Sequence, residues 1–391
     1  MTETTAAAEL RGPRPGKATP MGPRVGRVGD FLLRSILPLV LALGTGAIIL
    51  WAIGVDPIQY YTDVWSGGFE FAAWQDTTMR MAPLLLIAVG LIVVFKAGIW
   101  NLGMDGQFLL AAAVIAGIGP RLENHLPNGL NLVLLFLLAG AVGAAWTIPP
   151  ALMKARYELN EIITTLMMSF IGINLAQILV KGTFQDPTTT TPQTRALERD
   201  QRLPFIPGTD SSERLWPGIH VGVLVALAAA VLVWFLVSRT SFGVRLQVLG
   251  ASTRSARHMG LDVPRLIVVG FLLSGMFVGF AAAVEILGVK GYVRADSNPA
   301  FGLWVVPLVF LARLHPIGVI PYVAALSLAS IGGDYAAQNA GLTSKFTLLL
   351  VGLTLIFMAL TEWIARRAEL GGSYLPGTTF RRRRSSEDTT A

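Results

Sequence analysis

The sequence predicts an all-α integral membrane protein of about ten transmembrane segments, some short or broken, with the N- and C-termini cytoplasmic. Three observations predict it. Of 391 residues, 53% are hydrophobic and 14% charged, and the apolar ones fall into runs of about 20, the length that crosses a hydrocarbon core of about 30 Å. The basic residues flank those runs, as the positive-inside rule requires. Two pairs of apolar runs are short and joined by Gly, Pro or polar residues, the mark of interrupted spans. The net charge of +7 therefore speaks for topology and not for nucleic acid. With no cysteine, disulfides and thiolate metal sites are excluded. The four histidines, His125, His220, His258 and His315, show no paired ligand spacing.

Residues 1–30 are rich in Ala, Gly, Pro and Arg and read as a flexible basic cytoplasmic tail. The membrane-spanning body is expected over 31–365. Its first span, about Phe31 to Gly54, has Arg11, Arg14, Lys17, Arg24, Arg27 and Arg34 on or near its amino-terminal side, which puts the N-terminus inside. Asp56, Asp63, Glu70 and Asp76 with Tyr60, Tyr61, Trp65 and Trp74 suit the outer interface. Segment two is expected to begin at Met81, with Pro83 in its first turn, and to end at Lys96. Segment three is expected over Gln107 to Gly119. At 1.5 Å per residue these two reach only about 20 to 25 Å, so they look like pieces of broken spans.

Segment four covers about Leu130 to Ile148, ended by Pro149 and Pro150, and segment five covers Ile162 to Val180. The Thr- and Pro-rich stretch 181–217 reads as an extracellular loop, either poorly ordered or a docking lip. Segment six is Ile219 to Val237. The cytoplasmic loop 239–265 carries Arg239, Arg245, Arg254, Arg257 and Arg265 against Asp262 alone. Segment seven is Leu266 to Val289, and eight and nine (Phe301 to Leu311, Ile317 to Ile331) form a second short pair. Segment ten is Phe346 to Trp363, followed by a basic cytoplasmic tail, 366–391. Re-entrant hairpins at the short segments satisfy the charges nearly as well as full spans.

The chemistry-bearing residues are few. Between segments two and three, Gly98, Asn101, Gly103, Asp105, Gly106 and Gln107 favour turns or carry polar groups that lipid cannot satisfy. They read as part of a translocation path or as a plain cytoplasmic turn. Asp105, Glu161 and Glu285 are the candidate intramembrane acids, and each also reads as a helix-end group. No HExxH, GxSxG or GxxxxGK[ST] occurs, so the chain is expected to hydrolyse no ATP and bind no cofactor itself. In the 239–265 loop, Ser252 is placed to cap a short helix over Thr253 to Met259, Gly260 to close it, and Pro264 to prevent continuation. That helix is expected to present Ala256 and Met259, with Leu261 and Val263, beside Arg254 and Arg257, a small apolar knob for a groove in a soluble partner. The alternative is a capped connector lying on its own bundle.

Three stretches together resemble the permease subunits of ABC importers of the ribose, branched-chain amino acid and nucleoside type. NLGMDGQ is similar to that family's Asn-Ile-Gly-x-Glu-Gly-Gln signature at Asn101, Gly103, Gly106 and Gln107, with Asp105 in place of Glu. NEIITTLMMSF, from Asn160, resembles the Asn-Glu-Val-Ile-Ser-Thr-Ile-Met-Leu-Asn-Tyr stretch of permeases paired with basic membrane lipoproteins. FGVRLQVLGASTRSARHMGLDVPR resembles the loop bearing the family's coupling helix. Departures are Gln247 where the family has Arg, Ser169 where it has Asn, and Trp304, Pro307 and Ala312 within FGLWVVPLVFLAR.

The resemblance implies a multi-pass permease subunit in a bacterial plasma membrane, importing nucleosides or simple sugars. It implies three partners: an ATPase that uses the ATP, a second related permease (a heterodimer preferred, a homodimer allowed), and an extracellular substrate-binding lipoprotein. On that basis Arg254, Ala256, Arg257, Met259 and Gly260 are the candidate coupling residues, and Asn101, Asp105, Gln107, Asn160 and Glu161 the candidate path residues. The alternatives are an ion-coupled secondary transporter, the same ABC class with a cargo such as branched-chain amino acids, a passive channel, and a membrane enzyme, for which no clustered acid, base or metal ligands exist.

Overall fold

A computed structural model describes residues 36–69, 71–122, 128–206, 218–342 and 346–369. The tails 1–30 and 370–391 lie outside the described residues. The chain is a bundle of helices: α1 (Leu37–Ala52), α2 (Pro57–Phe69), α3 (Phe71–Lys96), α4 (Met104–Leu122), α5 (Asn128–Trp146), α6 (Ile148–Tyr157) and α7 (Glu161–Lys181). Beyond these come α8 (Gly222–Arg239), α9 (Ser241–Ala251), α10 (Thr253–His258), α11 (Val263–Ala283, continued by a π turn, Val284–Lys290), α12 (Phe301–Leu311), α13 (Ile320–Asn339) and α14 (Phe346–Glu369). Among the described residues, five helical stretches are long and apolar enough to cross a membrane, and a sixth if the bent pair α1 and α2 counts as one span.

The central helix is α3. Its apolar window is 83% buried, against 28% for α5 with α6 and 22% for α7. A helix apolar on every side and sealed by protein needs neighbours all round; α11, α8, α13 and α12 supply them. The two poorly covered stretches lie at the margin and present Val133, Leu137, Ile163, Met167, Phe170, Ile171 and Ile178 outward. Where α5 crosses α11 the backbones touch: a Cβ on Gly143 would overlap the Gly275 carbonyl, and one on Gly279 would overlap that of Ala139. Small residues at such a crossing allow the close contact that holds membrane helices together.

Several boundaries differ from the sequence expectations. The acidic, aromatic stretch after residue 56 is helix α2, bent 119° from α1 and lying along α13. Its glycines explain the contact, because Gly67 sits under Tyr335 and Gly68 under Leu328. Segment two starts at Phe71 and not at Met81, so Pro83 is inside a helix of 26 residues. Neighbouring helices make such an interior proline tolerable. Segment three begins at Met104, which puts Asp105 and Gln107 in its first turn. Both helices are therefore longer than expected, 26 and 19 residues, and the residues between them form the break.

Pro149 and Pro150 do not end segment four, since they occupy the first turn of α6, where a missing N–H costs little. Segment nine runs on to Asn339 because Asp334 and Gln338, which end the apolar run, are helical all the same. Segment ten passes residue 365 and is helical to Glu369, the last of the described residues. The described part of the 181–217 loop is folded down. Thr194 N donates to the Val293 carbonyl (2.9 Å), Leu197 N to that of Gly291 (2.8 Å) and Leu203 N to that of Leu287 (2.8 Å), with Leu197 buried. Residues 207–217 lie outside the described residues.

Candidate functional site

The break between α3 and α4 is built from local turn chemistry and then sealed by distant partners. Gly98 ends α3 at φ +70°. Its N–H donates to the Phe95 carbonyl and that of Ile99 to Val94, both at 3.0 Å, the paired bonds of a Schellman closure. Asn101 comes three residues later, fully buried. Its Oδ1 accepts from Gly103 N (3.2 Å) and Gln107 Nε2 (2.9 Å), while its Nδ2 donates to Gln107 Oε1 (3.3 Å) and to Ser274 Oγ on α11 (3.0 Å). All four hydrogen-bonding valences of this amide are met, as a buried polar group requires.

The two resembling stretches meet here. Leu102 N donates to Thr165 Oγ1 and Gly106 N to Ser169 Oγ, both at 3.1 Å. A Cβ at Gly106 would come within 2.6 Å of the Ser169 carbonyl oxygen, so only glycine lets α4 reach α7. Asp105 points elsewhere, its Oδ1 accepting from Gly302 N (3.0 Å) at the start of α12.

The remaining candidate path residues sit at the other end of the same connection. Asn160 caps α7, accepting from Ile162 N at 2.9 Å. Glu161 pairs with Lys154 (2.8 Å) and, through its carbonyl, takes the Thr165 hydroxyl (2.6 Å). Asn101 and Gln107 thus form a buried knot with Ser274, Asp105 turns away from it to α12, and Asn160 and Glu161 lie one turn below Thr165.

The short helix expected in the 239–265 loop forms in outline. Ser252 Oγ accepts from Ser255 N (3.2 Å), the helix over Thr253–His258 is two turns at most, and Gly260 (φ +74°) closes it. Met259 is 66% exposed. Two of the side chains expected on the knob are turned inward, however: Ala256 and Val263 are buried. The knob is therefore Met259 with the exposed guanidinium groups of Arg254 and Arg257.

Arg257 Nη2 binds Glu158 Oε1 at 2.5 Å, across from the α6–α7 turn. The guanidinium beside it holds the Glu158 carboxyl below the usual carboxylate range. A second contact ties the loop to the knot: Gly250, two residues before Ser252, lies against Gly98, whose Cβ would sit 3.2 Å from the Gly250 Cα.

Sequence reasoning missed Ser274, Thr165, Ser169, Glu158 and Gly250. The spacing of Thr165 and Ser169, one turn apart in an apolar run, is the one signal available for them. Ser169 stands where the resembling permeases have Asn, at the contact with Gly106. Among the described residues there is no cluster of His, Cys, Asp or Glu able to hold a metal.

Residues 75–359 match the family described as branched-chain amino acid transport system / permease component. The chain is 29% identical, over 89% of its own length and 90% of the relative's, to a glucose ABC transporter permease protein of Haloferax volcanii. It is 26% identical to the guanosine ABC transporter permease protein NupP of Bacillus subtilis, covering 84% of this chain and 93% of the relative. The guanosine ABC transporter permease protein NupQ of the same organism is 22% identical over 74% of this chain and 91% of its own.

Proposed function

The chain belongs to the branched-chain amino acid transport system / permease component family, and on that ground we propose nucleosides or simple sugars as the cargo it carries inward. It is a permease subunit of an ABC importer in the plasma membrane, and ATP is used by a separate ATPase. Relatives named for guanosine and glucose support the cargo class. Two guanosine permeases from one organism, both similar to this chain, support pairing with a second, related permease. An extracellular binding lipoprotein delivers the solute. The ten apolar segments of the sequence cross the membrane with both termini inside, a topology that the Arg-rich flanks support.

In mechanism, Arg254, Ala256, Arg257, Met259 and Gly260 form the coupling element: Met259 and the arginines contact the ATPase, while Ala256 anchors the helix to its own bundle. Movement of this element reaches the membrane by two routes. One is Gly250 against Gly98; the other is Arg257 to Glu158 and on to Asn160 and Glu161 at the start of α7. Both converge on the Asn101–Gln107 knot, the pivot beside the path, from which Asp105 reaches on to α12. The single observation that carries this reading is the contact between Gly250 in the loop and Gly98 in the break.

The test is uptake of labelled guanosine and glucose into proteoliposomes holding the full assembly. Uptake should depend on ATP supplied on the side of the ATPase and persist when ion gradients are collapsed. Uptake that dies with the gradient at constant ATP, or survives deletion of residues 253–259, rejects it.

A further inference from the structure

At the end of α11 remote from the Arg-rich loop lies a cavity of about 230 Å³. Phe108 and Leu109 of α4 form one wall, and Lys290, Tyr292, Arg294 and Ser297 form the other. The second wall is a built surface, held by the folded-down strip. Besides Thr194 N to the Val293 carbonyl, Val293 N donates to Thr194 Oγ1 (3.0 Å) and Ala295 N to the Pro192 carbonyl (3.0 Å). The floor leads to the knot. The Phe108 ring meets Phe301 edge-on at 5.5 Å, and one turn below Phe108 the Asp105 carboxylate holds Gly302 N at 3.0 Å.

The lining divides by chemistry. Phe108, Leu109 and Tyr292 offer apolar and ring surface, while Ser297, Arg294 and Lys290 offer hydroxyl and N–H donors. Lys290 already faces Glu285 at 3.3 Å, so its charge is compensated, and the buried carboxylate is engaged. A zwitterionic amino acid would need an acceptor for its ammonium group, and the nearby carboxylate is already taken. A solute with a flat ring and several hydroxyls satisfies both halves, by ring contact with Tyr292 and hydrogen bonds to Ser297 and Arg294. We propose that this cavity, bounded by Phe108, Tyr292, Arg294 and Ser297, is the first station of the cargo inside the permease and takes a nucleoside in preference to a hexose. The inference rests on the importer reading above and names its cargo subsite.

Because the chain has no cysteine, a single thiol reports on the cavity without background. Ser297→Cys is placed in the full assembly with ATPase, partner permease and binding protein, and labelled by a membrane-impermeant methanethiosulfonate. Asp296→Cys, whose parent side chain is 77% exposed, serves as the control. Saturating guanosine should slow labelling of Ser297→Cys at least 5-fold and leave Asp296→Cys unchanged, with glucose at equal concentration protecting less. Tyr292→Ala should raise the KM for guanosine uptake about 10-fold, with Tyr292→Phe close to wild type and solute affinity of the binding protein unchanged. Equal labelling with and without guanosine, protection of both thiols, stronger protection by glucose, or wild-type uptake by Tyr292→Ala overturns the proposal. Wild-type vesicles that import neither solute with ATP reject the importer reading instead.

Discussion

At two of its breaks, Gly98 and Gly260, the chain leaves helical form by the same device. In each case a glycine with φ near +70° closes a helix, the next N–H reaches back to the carbonyl five residues earlier, and an Asx side chain opens the next segment. The surroundings differ completely. At the first break Asn101 and Gln107 are sealed, and partners arrive from α7 and α11. At the second, Asp262 caps α11 by itself, Met259 stands out, and one exposed ion pair joins the loop to the α6–α7 turn. Local sequence therefore makes the turn, and tertiary partners decide whether it is sealed in the bundle or left exposed.

Substitutions at the two breaks should separate these roles. The largest effect belongs to Gly106→Leu: with Ser169 backbone already in contact, the branched side chain drives α4 from α7, and size-exclusion chromatography should show loss of monodisperse protein. Next is Asn101→Leu, which orphans Ser274 Oγ, the Gln107 amide and Gly103 N. At about 1 to 3 kcal/mol for an unsatisfied buried group, the melting temperature should fall clearly, and Asn101→Leu with Gln107→Leu and Ser274→Ala should regain part of it. A melt unchanged by Asn101→Leu would erase the contrast between the breaks.

Met259→Ala should move the melting temperature by no more than about 1 °C, as expected of an exposed side chain, yet cut ATP-driven uptake several-fold in vesicles. The smallest effect is Glu158→Gln. The folded-state pKa of Glu158 is depressed, so its pairing with Arg257 contributes fully above the unfolded value of about 4.3 and is lost as pH falls through the lower folded value. Melts of wild type and Glu158→Gln should differ slightly at pH 7 and converge in strong acid. Both partners are exposed, so the difference is small.

The spans are legible where an apolar run ends in a clear signal. Asn160 before α7 and Ser252 before α10 mark their helices correctly, and α12 matches residue for residue. The differences elsewhere share a cause: composition speaks of a boundary where tertiary cover decides. Asp63, Tyr60 and Tyr61 read as part of a polar connection between spans, but the stretch is helical and packs along α13. Pro83 and Pro149 read as boundaries, yet one is carried inside a helix by its neighbours and the other starts a new turn. Within the candidate site, Asn101 and Gln107 are visible as polar residues in an apolar run. Ser274, the partner of Asn101, is not, since it lies 173 residues away, nor are Thr165 and Ser169, which take the Leu102 and Gly106 N–H groups from 63 residues away. The burial of Ala256 is equally hidden, because a two-turn helix has no periodicity long enough to reveal its inner face.

The crossing of α5 and α11 sets which relative motions this bundle permits. Bare backbone meets bare backbone at Gly143, Gly275 and Gly279, so a sideways slip there drives carbonyls into one another. Beside that contact the Phe280 ring seats over Gly140 and stacks on Phe136 at 4.7 Å, so a swivel of one helix on the other would have to carry this ring pair with it.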